Sequence, residues 1–348
     1  MSASTKLARV TKSPRLAGKL AGLAVLLLVP LILSSSDVAT WSVYLTFAIL
    51  ALAIDLVWGY TGLLTLGHAA FFGAGAYLAA KMLIEVPSVP DPVVVFVLAP
   101  VFCAVLALAI GWFLFSANVS GPYFAITTLI VAIVFESIAG EFVSFLGGFN
   151  GLYNIPSLEV VGTGIETIPM YYVTLAVLLG LFLVSRWIVD SAFGRELRGI
   201  RQDMERTAMF GYNTEWARLI VFTLSGAMAG IAGGMYATIN NFVSPPLLGF
   251  VLSTQVVIWV AVGGRGTLVG AVLGAILIQY LNSTLSDLFV NSWNILLAVV
   301  FIAFVLIGPR GLVGLLEDLS DRLNLGEESA AAVAASTDAE GGGGDQYE

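Results

Sequence analysis

Between Ser185 and Ala217 the chain reads SRWIVDSAFGRELRGIRQDMERTAMFGYNTEWA, its one long charged stretch between the two termini. On either side lie apolar runs long enough to cross a bilayer. Within hydrocarbon a single charge costs about 2.5–3.5 kcal/mol even on the lenient insertion scale, so this stretch is an aqueous loop. Six of the fifteen basic residues lie in it or at its far edge: Arg186, Arg195, Arg198, Arg201, Arg206 and Arg218. That excess places the loop on the cytoplasmic side and fixes the orientation of the rest. Only 11% of the 348 residues are charged, against about 25% in soluble domains, so the class is a multi-spanning membrane protein.

The net charge of −8 belongs to one end. From Glu317 onward there are nine acidic residues and one basic, whereas residues 1–316 balance at fourteen of each. We divide the chain into a basic cytosolic segment (1–19), a transmembrane domain (20–316) whose cytosolic loop spans 190–217, and an acidic, largely disordered cytosolic tail (317–348). Ser34–Ser36 offers no A-x-A-like cleavage site, so the first apolar run is read as an uncleaved helix. Cys103, the single cysteine, lies in an apolar run and reads as a packing residue.

The expected spans are Leu20–Leu33, Val38–Trp58, Leu63–Ile84, Val93–Phe115, Tyr123–Leu146, Pro169–Val189, Arg218–Ile239, Phe250–Val262, Leu268–Leu285 and Trp293–Gly308. Phe250–Val262 falls short of the roughly 20 residues that a crossing needs, so it reads as broken, tilted or re-entrant. The expectation is thus an all-α polytopic protein of about ten transmembrane helices, some broken or re-entrant. Both termini are placed in the cytoplasm, because this leaves Lys81 as the only basic residue outside.

Several residues admit a functional and a packing reading. Gly226, Gly230 and Gly234 recur at four-residue spacing, as do Gly266, Gly270 and Gly274; such spacing serves close helix packing first and a pathway second. Gly59-Tyr-Thr-Gly62, Leu66-Gly67-His68 and Gly263-Gly-Arg-Gly-Thr267 break apolar segments, and irregular backbone at membrane depth survives only against protein or a water-filled cavity. His68, the only histidine, either caps a helix or meets the solute. Glu136 and Asp55 are intramembrane carboxylates, functional candidates whose alternative is pairing with a neighbouring helix. Thr127, Thr128 and Gln255 are candidate solute contacts or interhelical hydrogen bonds.

Absences narrow the energy source. There is no G-x-x-x-x-G-K-[ST] loop, since Gly18-Lys19 is followed by Leu20, and no ladder of buried acids and bases for a proton-driven carrier. A non-enzymatic membrane subunit driven from outside fits, with no metal and no cofactor of its own. A self-sufficient secondary carrier and a passive urea or amide channel are the rivals.

Six motifs in order then resemble one family. They are Gly59-Tyr-Thr-Gly-Leu-Leu-Thr-Leu-Gly-His-Ala-Ala-Phe-Phe-Gly-Ala-Gly-Ala-Tyr77, Gly121-Pro-Tyr-Phe-Ala-Ile-Thr-Thr-Leu129, Gly147-Gly-Phe-Asn-Gly-Leu152, Phe193–Asp203 through Gly211-Tyr-Asn213, Gly263–Gly270 and Gly308-Pro-Arg-Gly-Leu-Val-Gly314. Over residues 44–314 the chain resembles a permease subunit of the branched-chain amino acid/urea class of ABC importers. The resemblance implies a homologous second permease, two cytosolic ATPase subunits that carry ATP and Mg, an extracytoplasmic binding protein, a surrounding inner-membrane bilayer, and no nucleic acid. It also implies that Arg195–Gly211 is the coupling helix gripped by an ATPase. Leu197, Ile200, Met204 and Ala208 would give it an apolar face, with Arg195, Arg198, Arg201, Asp203 and Arg206 beside them. Asn150 in the Gly-Phe-Asn-Gly-Leu element joins the expected solute pathway. That element, and Ala271 where proline is commoner, lean the expected solute toward urea, with a branched-chain amino acid as the alternative. Thr65 and Gly199 depart from the family's usual serine and alanine; the glycine weakens the helix by up to about 1 kcal/mol.

Overall fold

The computed structural model describes residues 14–117, 119–160, 163–288, 311–312 and 314. Its helices are α1 (Pro14–Ile32), α2 (Ser35–Ile54), α3 (His68–Glu85), α4 (Asp91–Ser116), α5 (Gly121–Glu141), α6 (Thr167–Asp190), α7 (Ala192–Gln202), α8 (Met204–Met209), α9 (Thr214–Asn240), α10 (Phe250–Gly263) and α11 (Leu268–Leu288). Six helices among the described residues are long and apolar enough to cross a membrane, namely α2 with its following turn, α4, α5, α6, α9 and α11. The expected span Trp293–Gly308 and the tail from Glu317 lie outside the described residues. The fold is not purely helical: β1 (Leu152–Tyr153) pairs antiparallel with β4 (Phe242–Val243), and β2 (Glu159–Val160) with β3 (Thr163–Gly164).

Burial sorts the helices. The most apolar window of α2 is 89% buried and that of α9 67%, but those of α4, α5 and α6 only 33%, 33% and 28%. A helix that is apolar all round is either enclosed by others or faces lipid, and this chain contains both kinds. On α4 the open face carries Val97, Val101, Val105, Leu108 and Trp112, on α5 Ile126, Ile130 and Ile133. Spacings of three and four put each set on one side of its helix. Such stripes have no place against water.

The centre is assembled by small residues. A Cβ on Gly226 or Gly230 would run into Ala107 or Cys103 of α4, and one on Gly233 into the Phe72 backbone of α3, so α9 lies wedged between these two helices. Gly270 and Gly274 similarly let α11 close onto Gly263 of α10. Gly266 precedes α11 and packs elsewhere, against Gly59 and Arg201, so the four-residue register is helical only for the last two glycines of that set. Above this layer Phe47 of α2 stacks on Phe72, with ring centroids 5.6 Å apart, and meets Trp259 at 5.3 Å.

Candidate functional site at the charged end of the bundle

Both glycine-rich breaks and the charged segment meet at one end of the bundle. After α2 the chain makes a π-helical turn at Asp55–Gly59, a form concentrated at functional sites. The third segment was expected from Leu63, yet α3 starts only at His68. The intervening backbone keeps its hydrogen bonds through hydroxyls: Leu63 N–H donates to Thr61 Oγ1 (3.3 Å), Gly67 N–H to Thr65 Oγ1 (3.4 Å) and Leu66 N–H to Thr128 Oγ1 (3.1 Å). That is how a non-helical stretch survives inside a membrane protein.

The second break, Gly264–Thr267, turns through φ values of +117° at Gly264 and +80° at Gly266. A side chain would strain both positions. Gly266 N–H donates to Asp55 Oδ1 at 2.6 Å, joining chain positions 211 residues apart. From the charged segment, Arg201 Nη1 donates to the Gly59 carbonyl oxygen. The Arg265 guanidinium covers the Trp58 ring, 5.1 Å from its centroid. Asp55, Gly59, Arg201 and Gly266 thus form one junction, in which Asp55 holds the second break to the first and Arg201 holds the charged segment to both.

The charged segment is two helices, which corrects the expectation of one helix over Arg195–Gly211. Ser191 caps α7 by accepting from Gly194 N–H (3.3 Å). Asp203 is extended, with φ −160° and ψ 107°, and caps α8 by accepting from Arg206 N–H at 2.9 Å. An Asp followed two residues on by Glu205 is a helix-start signal that was legible in the sequence. The apolar face also points otherwise than expected. Leu197 and Ile200 are buried in the chain's own core, Met204 is half-buried and Ala208 is exposed. The apolar groups turned outward are Met209, Phe210, Tyr212 and Trp216, just beyond the expected face. Arg198 Nη1 donates to Val189 O at 3.2 Å, and Arg206 pairs with Asp203 at 3.7 Å in an exposed contact worth little. Gly211 closes α8 in a left-handed turn at φ +89°. At Gly199 a Cβ would come within 3.1 Å of Thr207 Oγ1, so the glycine opens room for α8 beside α7.

The residues expected along a solute path fall into three places. His68 is fully buried, with Nδ1 3.0 Å from Thr65 Oγ1 and Nε2 2.5 Å from Ser225 Oγ, which in turn donates to Ala53 O (2.6 Å). It therefore ties α3, α9 and α2 together, and Thr128 likewise serves the first break. Thr127, Glu136 and Gln255 lie half-buried on α5 and α10; Thr127 donates to Tyr123 O at 2.8 Å. The Glu136 carboxylate lies against Gly249, the N-cap of α10, where the positive helix end favours an anion. Asn150 is exposed in the turn at Gly148–Asn150, which packs against the far end of α5 at Gly140. Replacing Ser225 with Val is expected to cost about 1–3 kcal/mol, because Ala53 O and a His68 nitrogen lose their partner in a dry site. Chemical unfolding in detergent measures it.

Helices long and apolar enough to cross a membrane, with a polar segment fastened to their breaks, point to a polytopic membrane protein. The family model described as branched-chain amino acid transport system / permease component matches residues 36–307, so the chain belongs to that permease family. It is 27% identical over 312 residues to the high-affinity branched-chain amino acid transport system permease protein LivM of Escherichia coli K12, covering 82% of this chain and 71% of that protein. It is 22% identical to LivH of Salmonella typhimurium over 77% of this chain and 91% of that protein. The autoinducer 2 import system permease protein LsrC of Salmonella paratyphi B is 30% identical over 55% of this chain and 62% of its own length. No solved structure matches.

Proposed function

We propose that this chain is the transmembrane permease subunit of an ATP-driven importer for branched-chain amino acids. The observation that carries the reading is the family match over residues 36–307, together with relatives whose names specify branched-chain amino acid transport. The urea leaning loses its support. Ala271 is fully buried beside Gly263 at the contact of α10 and α11, so its identity answers to helix packing rather than to a solute.

In this reading the charged end faces the cytoplasm, and the chain binds no nucleotide itself. A homologous second permease completes the pathway, two ATPase subunits supply ATP hydrolysis, and an extracytoplasmic binding protein delivers the solute. The ATPase grips α7 and α8, with Met209, Phe210, Tyr212 and Trp216 as the apolar contact and Arg195 and Arg206 at its rim. Movement passes through Arg201 to both breaks, and the bundle alternates access between two packings. Thr127, Glu136 and Gln255 are the polar groups placed to meet a solute between α5 and α10.

The test is uptake of radiolabelled leucine and urea in a strain deleted for this chain. Loss of leucine uptake with urea uptake intact is the expected result. Urea uptake lost alone would restore the other substrate, and uptake by the purified chain without ATP would replace the importer with a channel.

A further inference from the structure

We infer that the charged end also holds a binding site for a small anion, a phosphate or a short carboxylate, between Arg218 of α9 and Arg201 of α7. A cavity of about 270 Å³ opens there, lined by Thr61, Leu63, Ser120, Ile200, Arg201 and Arg218 among others, and no carboxylate belongs to its lining among the described residues. Arg218 is 1% exposed. Its Nε donates to Thr214 O at 3.1 Å and its guanidinium covers the Phe115 ring at 4.9 Å, but Nη1 is buried with no hydrogen-bond partner. An unsatisfied guanidinium N–H on a residue of the cavity wall calls for an acceptor. The nearby Glu215 is exposed and lies outside the cavity lining.

Two further features favour negative charge. Arg201, a second cationic residue, belongs to the same lining, with its guanidinium turned to the Gly59 and Gly266 junction beside it. Ser120 and Gly121 begin α5, 21 residues long, whose first-turn N–H groups have no intrahelical acceptor and carry the positive end of its dipole. Size and wall chemistry limit the ligand. The volume lies just below the roughly 300–1,000 Å³ of pockets for drug-sized ligands, which suits a small anion. Leu63 and Ile200, both buried, give an apolar side that suits a short aliphatic tail. The occupant bridges α5, α7 and α9 next to the Arg201 junction. The site is independent of the solute assignment above, since it requires only the charged-end geometry.

The experiment is thermal unfolding of the purified full-length chain, with whatever subunits accompany it, titrated with sodium phosphate, sodium isovalerate and, at matched ionic strength, sodium chloride. The expected result is a saturable stabilisation by phosphate or isovalerate beyond that of chloride. Arg218→Gln is expected to weaken it by about tenfold or more, the loss typical of a charge-assisted hydrogen bond. Met204 also belongs to the lining, and Met204→Trp fills the cavity while leaving both arginines in the sequence; it is expected to weaken binding to a similar degree, so the proposal stays testable if the first variant fails to fold. An anionic phospholipid retained in native mass spectra by the wild type and lost in Arg218→Gln assigns the phosphate to a lipid headgroup. No saturable effect with any anion and no such lipid, or equal binding in wild type and variants, overturns the site.

Discussion

Replacing Arg201 with Ala is expected to reduce ATP-driven uptake by about ten- to a hundredfold, the equivalent of one charge-assisted hydrogen bond of about 1.5–3 kcal/mol lost from a moving junction. Arg201 is the one residue of α7 that hydrogen-bonds the first break, at Gly59 O, and its guanidinium also lies against Gly266 in the second. On the importer reading proposed above, an ATPase would still grip α7 and α8 without it, but displacement of α7 would no longer pull on the charged-end termini of α2 and α11. Hydrolysis therefore continues while transport falls. The measurement is leucine uptake and ATP hydrolysis by the same reconstituted complex. Parallel loss of both would mean that Arg201 serves assembly instead. Asp55→Leu tests the other half of the junction, because Gly266 N–H then loses its acceptor.

The largest structural effect is expected at Gly233. A Cβ there would lie 2.8 Å from the carbonyl carbon of Phe72 and 2.9 Å from the backbone nitrogen of Ala76, neither of which can rotate aside. Gly233→Leu must push α9 off α3, at a cost of about 3 kcal/mol or more, and the amount of chain recovered from membranes should drop several-fold. Gly180→Leu on α6 is the matched control. Nothing lies within 4 Å of its Cβ position, and the change should stay within about 0.5 kcal/mol. Equal behaviour of the two variants would contradict the packing described for α9.

Membrane character was legible in composition, and the helices were legible in the lengths of apolar runs. The weak point at Phe250–Val262 was also visible, and α10 is indeed a helix of only 14 residues. The breaks could be found because Gly62, Gly264 and Gly266 adopt positive φ, which leaves glycine as the signature in sequence. What joins the breaks was not readable. Asp55 meets Gly266 across 211 residues and Arg201 meets Gly59 across 142, and no local pattern encodes such pairings. Asp55 reads in sequence as an intramembrane carboxylate, functional or paired with a neighbouring helix, with nothing to name Gly266 as its partner, and Arg218 reads as the edge of a basic loop. Each is buried against a partner or cavity supplied by a distant helix. The inward turn of Leu197 and Ile200 was missed for a related reason: helical spacing identifies an apolar face but not which neighbour covers it. The restart of α8 at Asp203 was readable and was overlooked, because the basic residues on both sides made the segment look continuous.

Cys103, fully buried on α4, donates from Sγ to the Phe71 carbonyl and is hemmed in by Gly226 and Gly230. With no other cysteine in the sequence, the protein presents no thiol to water. Maleimide reagents should therefore leave the unaltered chain unmodified, and one introduced cysteine, at exposed Phe210 for the charged end or Tyr153 for the opposite end, would report its own side of the bilayer against a silent background.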